Sequence, residues 1–206
     1  FPLSPFVQKH AQKPPSKICS VSRALTLGRV MELPKFKYHI DPEGNDVIEE
    51  SDITCVCCGE KHGYIYTGPV YAIEDLDDSI CPWCIANGDA AKKYDAEFSD
   101  SHPLLSSGIS KEITEEVTQR NPGYVSWQQE CWLSHCIDAC EFHGDASEED
   151  VRNASEETKK QWRLDYEGDE KFWNTVTEGY YPKGDNAFYK FKCRHCNLVL
   201  LGWDCS

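Results

Sequence analysis

The chemistry-bearing residues of this chain concentrate between Cys55 and Cys84, in the stretch "CVCCGEKHGYIYTGPVYAIEDLDDSICPWC". It contains two Cys-x-x-Cys pairs, Cys55/Cys58 and Cys81/Cys84, separated by 22 residues. A Cys-x-x-Cys pair puts two thiolates on one tight turn. Two such turns supply the four-sulfur tetrahedron that zinc prefers, with Zn–S distances of about 2.3 Å. The neighbouring Cys57 could replace Cys55 in that shell, although the two-residue spacing favours Cys55 with Cys58. A redox dithiol is the competing chemistry, because Cys81-Pro82-Trp83-Cys84 opens a helix-like run. That motif usually follows a buried strand, whereas here it follows the acidic "EDLDDSI" and has a companion pair.

A second group lies towards the C-terminus. "FYKFKCRHCNLVLLGWDC" reads as a strand, a Cys193-x-x-Cys196 turn and a returning strand, with Asn197 where a left-handed residue is needed. This half-site needs two more donors. "WLSHCIDACEFHG" offers Cys136 and Cys140, whose spacing of four places them on one face if the segment is helical. The expected second shell is therefore Cys136, Cys140, Cys193 and Cys196, with His135, His143 and His195 as substitutes or supporting groups. Cys19, Cys131 and Cys205 have no evident partners.

The elements that must carry these donors can be sketched. Gly59 suits the turn after Cys58, where positive φ is wanted. "YIYTGPVYAI" predicts two short strands about Gly68-Pro69. "IANGDAAKKYDAEF" predicts a helix weakened by Gly88. Ligand turn, hairpin, then ligand pair at a helix start is the outline of a treble-clef module. After a loop over 99–108, "SKEITEEVTQRN" predicts a helix capped by Ser110 and stopped by Pro122. Trp127 and Trp132 are expected in the core beside the second centre. Residues 145–178 predict helices, started by Ser147 with Asp150 and again by Ser155. The fold class expected is α+β: an N-terminal treble-clef or zinc-ribbon-like unit over 31–108, then a helical and zinc-ribbon-like unit over 109–206.

Charge sets a further bound. The chain has 21 basic and 35 acidic residues, and residues 1–30 hold five of the basic ones and no acid. Residues 31–206 therefore carry 16 basic against 35 acidic residues, a formal charge of −19. Because "MELPKFKYHIDP" reads like a natural beginning at Met31, residues 1–30 are expected to be a basic extension, disordered or not native, outside the fold. A body this acidic repels a phosphate backbone. It attracts basic partners and speeds their approach. No apolar run nears the roughly 20 residues of a membrane span, and no secretory apolar region is present. A soluble, cytoplasmic protein with reduced thiols is expected. Phosphate loops, Gly-x-Ser-x-Gly, His-Glu-x-x-His and the zinc-deaminase signature are all missing from the sequence.

Taken in order, Ile53–Phe98, "NPGYVSWQQECWLSHCIDACEFHGD" and "YKFKCRHCNLVLLGWDCS" resemble the bacterial CbrC family across essentially all of 31–206. The resemblance implies a cytoplasmic protein linked to tolerance of a nuclease colicin, with no established reaction. Its cysteine pairs map onto Cys55, Cys58, Cys81, Cys84, Cys136, Cys140, Cys193 and Cys196. Cys131, and Asn197 in place of glycine, depart from the pattern. The leading expectation is a non-enzymatic protein holding two structural zinc ions and meeting a basic toxin or nuclease domain. A zinc- or thiol-dependent enzyme and a nucleic-acid-binding zinc ribbon remain the alternatives.

Closing a structural zinc site couples about 10–16 kcal/mol of apparent binding energy to folding. A typical domain has a net stability of only about 5–15 kcal/mol. Strong chelators should therefore unfold the protein, as followed by circular dichroism. Cys81→Ser should do far more damage than Cys57→Ser, and equal damage would show that the first shell is wrongly assigned.

Overall fold

The computed structural model describes residues 32–206. The basic extension and Cys19 lie outside the described residues. The fold mixes short helices with small antiparallel sheets. β1 (Ile48–Glu50) pairs with β2 (Tyr64–Tyr66), aligning Ile48 with Tyr66 and Glu50 with Tyr64. The second strand expected around Gly68-Pro69 does not form, and Tyr71 makes only an isolated bridge to Glu97. The Tyr66 ring explains this. Its hydroxyl donates to the Pro69 carbonyl at 2.9 Å, and the ring fills the space that a side chain at residue 68 would need. The chain is thereby turned away from β2.

The helix expected after Cys84 is present in two pieces. α1 (Pro82–Ala86) starts with proline in its first turn, and α2 (Asp89–Tyr94) follows Gly88 at φ 79°. Glycine tolerates that left-handed conformation, so it breaks the helix rather than merely weakening it. α3 (His102–Ser106) and α4 (Lys111–Gln119) complete this half, with the Ser110 hydroxyl accepting from the Ile113 amide. Next come β3 (Ser134–His135), β4 (Asp138–Ala139) and β5 (Glu141–Asp145). α5 (Glu148–Arg152) opens with a reciprocal Ser147–Asp150 cap, and α6 (Glu156–Asp165) is capped by Ser155. α7 (Glu170–Thr177) is capped by Asp169. Each cap satisfies amides that the first turn leaves unpaired. β6 (Asn186–Lys192) and β7 (Val199–Cys205) pair along their length, and β5 joins β6 to complete a three-stranded sheet.

That sheet is buried on both faces, as the period-two alternation of its side chains allows. Ala187, Tyr189, Phe191 and Leu200 join Tyr38, Tyr124, Trp132 and Phe142 in a central aromatic cluster. Phe188 and Leu201 face the other way, against Trp162 of α6 and Trp173 and Val176 of α7. A third cluster, with Phe36, Ile48, Tyr66, Ile80, Ile85 and Phe98, surrounds the first cysteine group. Trp132 is in the core as expected, whereas Trp127 is 47 % exposed. Among the described residues no helix is long and apolar enough to cross a membrane.

His39 ties the N-terminal segment to this body. It is fully buried, edge-on to Phe142. Its Nδ1 lies 3.1 Å from the Pro122 carbonyl and its Nε2 lies 3.0 Å from Asn45 Nδ2. A carbonyl can only accept, so Nδ1 carries the proton and Nε2 accepts from Asn45. Burial pushes the ring down to about 4, against about 6.5 when unfolded. The unfolded chain therefore takes up this proton first as pH falls, and His39 costs stability progressively below about pH 6.5. Urea midpoints at pH 7 and pH 5 should show the wild type losing about 2 kcal/mol more than His39→Gln between those values. Identical pH slopes would remove His39 as the acid-sensitive group.

Candidate functional site

The first cysteine group is built by two local turns. After β1, the Cys55 amide donates to the Glu60 carbonyl at 2.9 Å, and the Gly59 amide donates to the Cys55 carbonyl at 2.8 Å. Gly59 sits at φ 78°, as the turn requires. The other pair comes from the start of α1, where the Cys84 amide donates to the Cys81 carbonyl at 3.1 Å. Sγ of Cys55 lies 3.9 Å from that of Cys84, and Cys58 lies 4.0 Å from Cys81. All four sulfurs fall within 4.8 Å of one another. A tetrahedron with Zn–S of about 2.3 Å has edges of about 3.8 Å. The donor set therefore fits a zinc-sized ion.

Three of these cysteines are buried and Cys58 is exposed, with His62 Nε2 3.4 Å from its sulfur. The hydrogen bond between Cys55 and Cys81 favours the Cys55 thiolate and holds its thiol below the ordinary range, despite burial. The Cys81 amide also points at Cys55 Sγ, at 3.2 Å. Cys57 stands outside the four-donor group, and its carbonyl accepts from Lys93 Nζ at 2.9 Å. Of the two sequence alternatives, the geometry brings Cys55 to the cluster.

The second group joins two turns that are far apart in sequence. Cys193 and Cys196 lie between β6 and β7, where the Asn197 amide closes on the Cys193 carbonyl at 3.0 Å. Asn197 has φ 61°, the left-handed conformation expected of it. The other donors sit on the β3–β4 hairpin. The segment expected to be helical is instead a two-residue turn, with Cys136 at φ 52° and Ile137 at φ 62°. Such turns suit Asn-Gly. A β-branched residue there is strained.

This turn changes the donor set. His135 joins Cys136, Cys193 and Cys196 within the same 4.8 Å limit, and Cys140 does not. His135 Nδ1 is 3.2 Å from Cys136 Sγ and 3.5 Å from Cys196 Sγ. An edge of about 3.5 Å follows from Zn–N of about 2.0 Å and Zn–S of about 2.3 Å. Cys140, four residues on, is carried across β4 into the central cluster and is fully buried. Its carbonyl accepts from Trp132 Nε1 at 2.9 Å, and burial pushes its thiol up. It acts as a small core hydrophobe. At Cys193, burial is outweighed by the Cys196 and His195 amides, which hold the thiol below its ordinary range.

The other two histidines do not join the cluster. His143 lies on β5 beside Glu141. His195 Nε2 is 2.9 Å from Asp138 Oδ2, and the opposite oxygen, Oδ1, accepts from Tyr38 at 2.7 Å. Arg194 Nη1 lies 3.4 Å from the same carboxylate. Burial would raise Asp138, but the Tyr38 and His195 hydrogen bonds hold it below the usual carboxylate range. This hub, which locks the turn bearing Cys193 and Cys196 onto the N-terminal segment, has no local sequence signal, because Tyr38 and Asp138 are 100 residues apart.

Residues 33–205 match the uncharacterised protein family UPF0167. The chain belongs to UPF0167. Among its relatives, UPF0167 protein PA1536 of Pseudomonas aeruginosa is 46 % identical over 173 residues, covering 84 % of this chain and 97 % of that protein. UPF0167 protein Mb2317 of Mycobacterium bovis and UPF0167 protein MT2352 of Mycobacterium tuberculosis are each 41 % identical over 175 residues, covering 82 % of this chain and 91 % of theirs. No solved structure matches the chain. In this UPF0167 chain the two clusters together present seven sulfurs and one imidazole nitrogen.

Elemental analysis should find two zinc ions per chain, and X-ray absorption should fit that sulfur-to-nitrogen ratio. His135→Ala should lose about one metal equivalent. Cys140→Ala should keep both ions while losing about 1–2 kcal/mol of stability. Loss of metal from Cys140→Ala with retention in His135→Ala would restore the all-cysteine assignment.

Proposed function

We propose that this protein is a non-enzymatic, zinc-stabilised binding protein of the bacterial cytoplasm, whose acidic body engages a basic protein partner. The observation that carries the reading is that each cluster already offers four donors. Four protein ligands fill a tetrahedral shell and leave no position for a reactive water, which is how structural zinc differs from catalytic zinc. The first centre, a ligand turn and a helix-start pair, is read as a treble clef. With the metals assigned to scaffolding, the dominant surface property is the formal charge of −19 over 31–206. Such a field steers a cationic protein into contact and disfavours a phosphate backbone. The resemblance to the CbrC family narrows the partner class to a nuclease colicin domain, with toxin tolerance as the outcome.

A second reading is favoured by the pairing of His195 with Asp138, beside the second centre and on an exposed imidazole. A carboxylate-oriented histidine next to a metal is the arrangement of a general base. An oxygen neighbour in the X-ray absorption of the second centre would support that enzyme and count against the scaffold. For the binding reading, calorimetric titration of the full chain with a colicin nuclease domain should show binding at low salt. Affinity should fall by about 10-fold or more at 0.5 M salt. No heat at low salt would leave the binding reading without support.

A further inference from the structure

A cleft of about 620 Å³ opens beside the aromatic cluster, and none of its lining residues belongs to either donor cluster. Its floor is Tyr124, Phe142 and Tyr189. The Tyr124 and Phe142 rings stack at 4.4 Å, and Tyr189 lies 5.0 Å from Tyr124. The half-exposed Trp127 forms one wall, its indole nitrogen held by the Gly184 carbonyl at 3.2 Å. The opposite wall is the 44–46 turn, which depends on a glycine. Gly144 has φ 91°, and a β-carbon there would strike the Asn45 side chain. Asn45 is itself oriented by buried His39.

Gly144 also sits in an irregularity of β5, where the register with β6 shifts between Phe142 and Asp145. Bulges of this kind re-aim side chains and are common beside binding sites. Here His143 and Asp145 both line the cleft. The His143 Nε2 is shielded from solvent and lies 3.4 Å from Glu141 Oε2 without hydrogen-bond geometry. Among the described residues no side-chain hydrogen bond is made by Asp145, and desolvation raises its carboxyl, with Lys183 opposing and Asp46 adding to the shift. Asp46, at the mouth, is met by Lys183 Nζ at 3.2 Å, with both side chains largely exposed. The cleft thus joins flat aromatic surface to two carboxylates, with Lys183 as the cation among its lining residues.

We propose that this cleft is a docking site for an arginine side chain of a basic protein partner. A guanidinium offers five N–H donors and no acceptor. It stacks on aromatic faces while its edge pairs with carboxylates, which a lysine ammonium does not reproduce. Asp46 and Asp145 supply acceptors, and the half-exposed Trp127 supplies a face. An anionic ligand would meet two carboxylates. The surrounding charge favours the same cation. Lys183 occupies part of this position and is displaced on binding. The inference rests on the reading of the protein as a binder of basic partners and identifies the contact that such a partner makes.

The test uses the full chain and a capped Gly-Arg-Gly peptide, with a peptide carrying citrulline, the neutral isostere of arginine, as control. The Trp127 indole resonance, assigned by Trp127→Phe, should shift with the arginine peptide. Binding should weaken at least 10-fold with citrulline and with Asp46→Asn/Asp145→Asn. Lys183→Ala should tighten it at least 3-fold, a gain that a merely structural lysine would not produce. Equal binding of the two peptides, or no shift at Trp127, overturns the proposal. Titration with a colicin nuclease domain separates the two levels. Tight binding unaffected by the double variant overturns the cleft while the general reading stands. Absence of all binding removes both.

Discussion

Bringing four sulfurs within 4.8 Å of one another, two of the pairs at about 4 Å, is the constraint on which this structure depends. Two thiolates at that separation repel by about 4 kcal/mol at an effective dielectric constant of about 20. A four-thiolate cluster is therefore tolerable only if protons or a cation remove the charge. The first cluster brings together Cys55, Cys58, Cys81 and Cys84, three of them buried. The strands beside them are only three residues long. Two-stranded pairs of that size are marginal alone. A divalent ion cross-linking both turns would supply what the short elements cannot.

The second centre has the same logic in a different setting. Its donors join the β3–β4 turn to the β6–β7 turn, residues some sixty positions apart in sequence. The three-stranded sheet behind it is well packed on both faces, so a metal held here would organise an edge rather than a core. Two left-handed residues in succession, one of them the exposed Ile137, mark the turn as strained. Local conformational cost of this kind persists where other interactions over-determine it. Coordination of a metal through Cys136 and His135 would be such an interaction.

The scaffold and the surface divide the work. The central aromatic cluster and the two donor clusters that could hold metal belong to the body, and the Trp127 cleft opens at the surface. The Asp138 hub links these levels. One carboxylate receives Tyr38 from the N-terminal segment and His195 from the ligand turn, so the second centre and the N-terminal segment are fixed together.

Much of the local structure was legible from residue types alone. Helix starts at Ser110, Ser147 and Ser155, the turn at Gly59, the left-handed Asn197 and the β6–turn–β7 unit each depend on a few adjacent residues. The Cys-x-x-Cys pairs belong to the same class, because two-residue spacing by itself puts both thiolates on one turn. The errors arose where one spacing is compatible with two geometries. Cys136 and Cys140 share a face on a helix, but a hairpin sends them apart and brings His135 forward. Gly68-Pro69 suggested a hairpin, but the Tyr66 ring occupies the space. By itself the sequence determined which turns carry thiolates, because that is set by local backbone chemistry. Only the tertiary structure decided which residue completes the second donor set and where the cleft opens, because those follow from packing between residues with no neighbourhood in the chain.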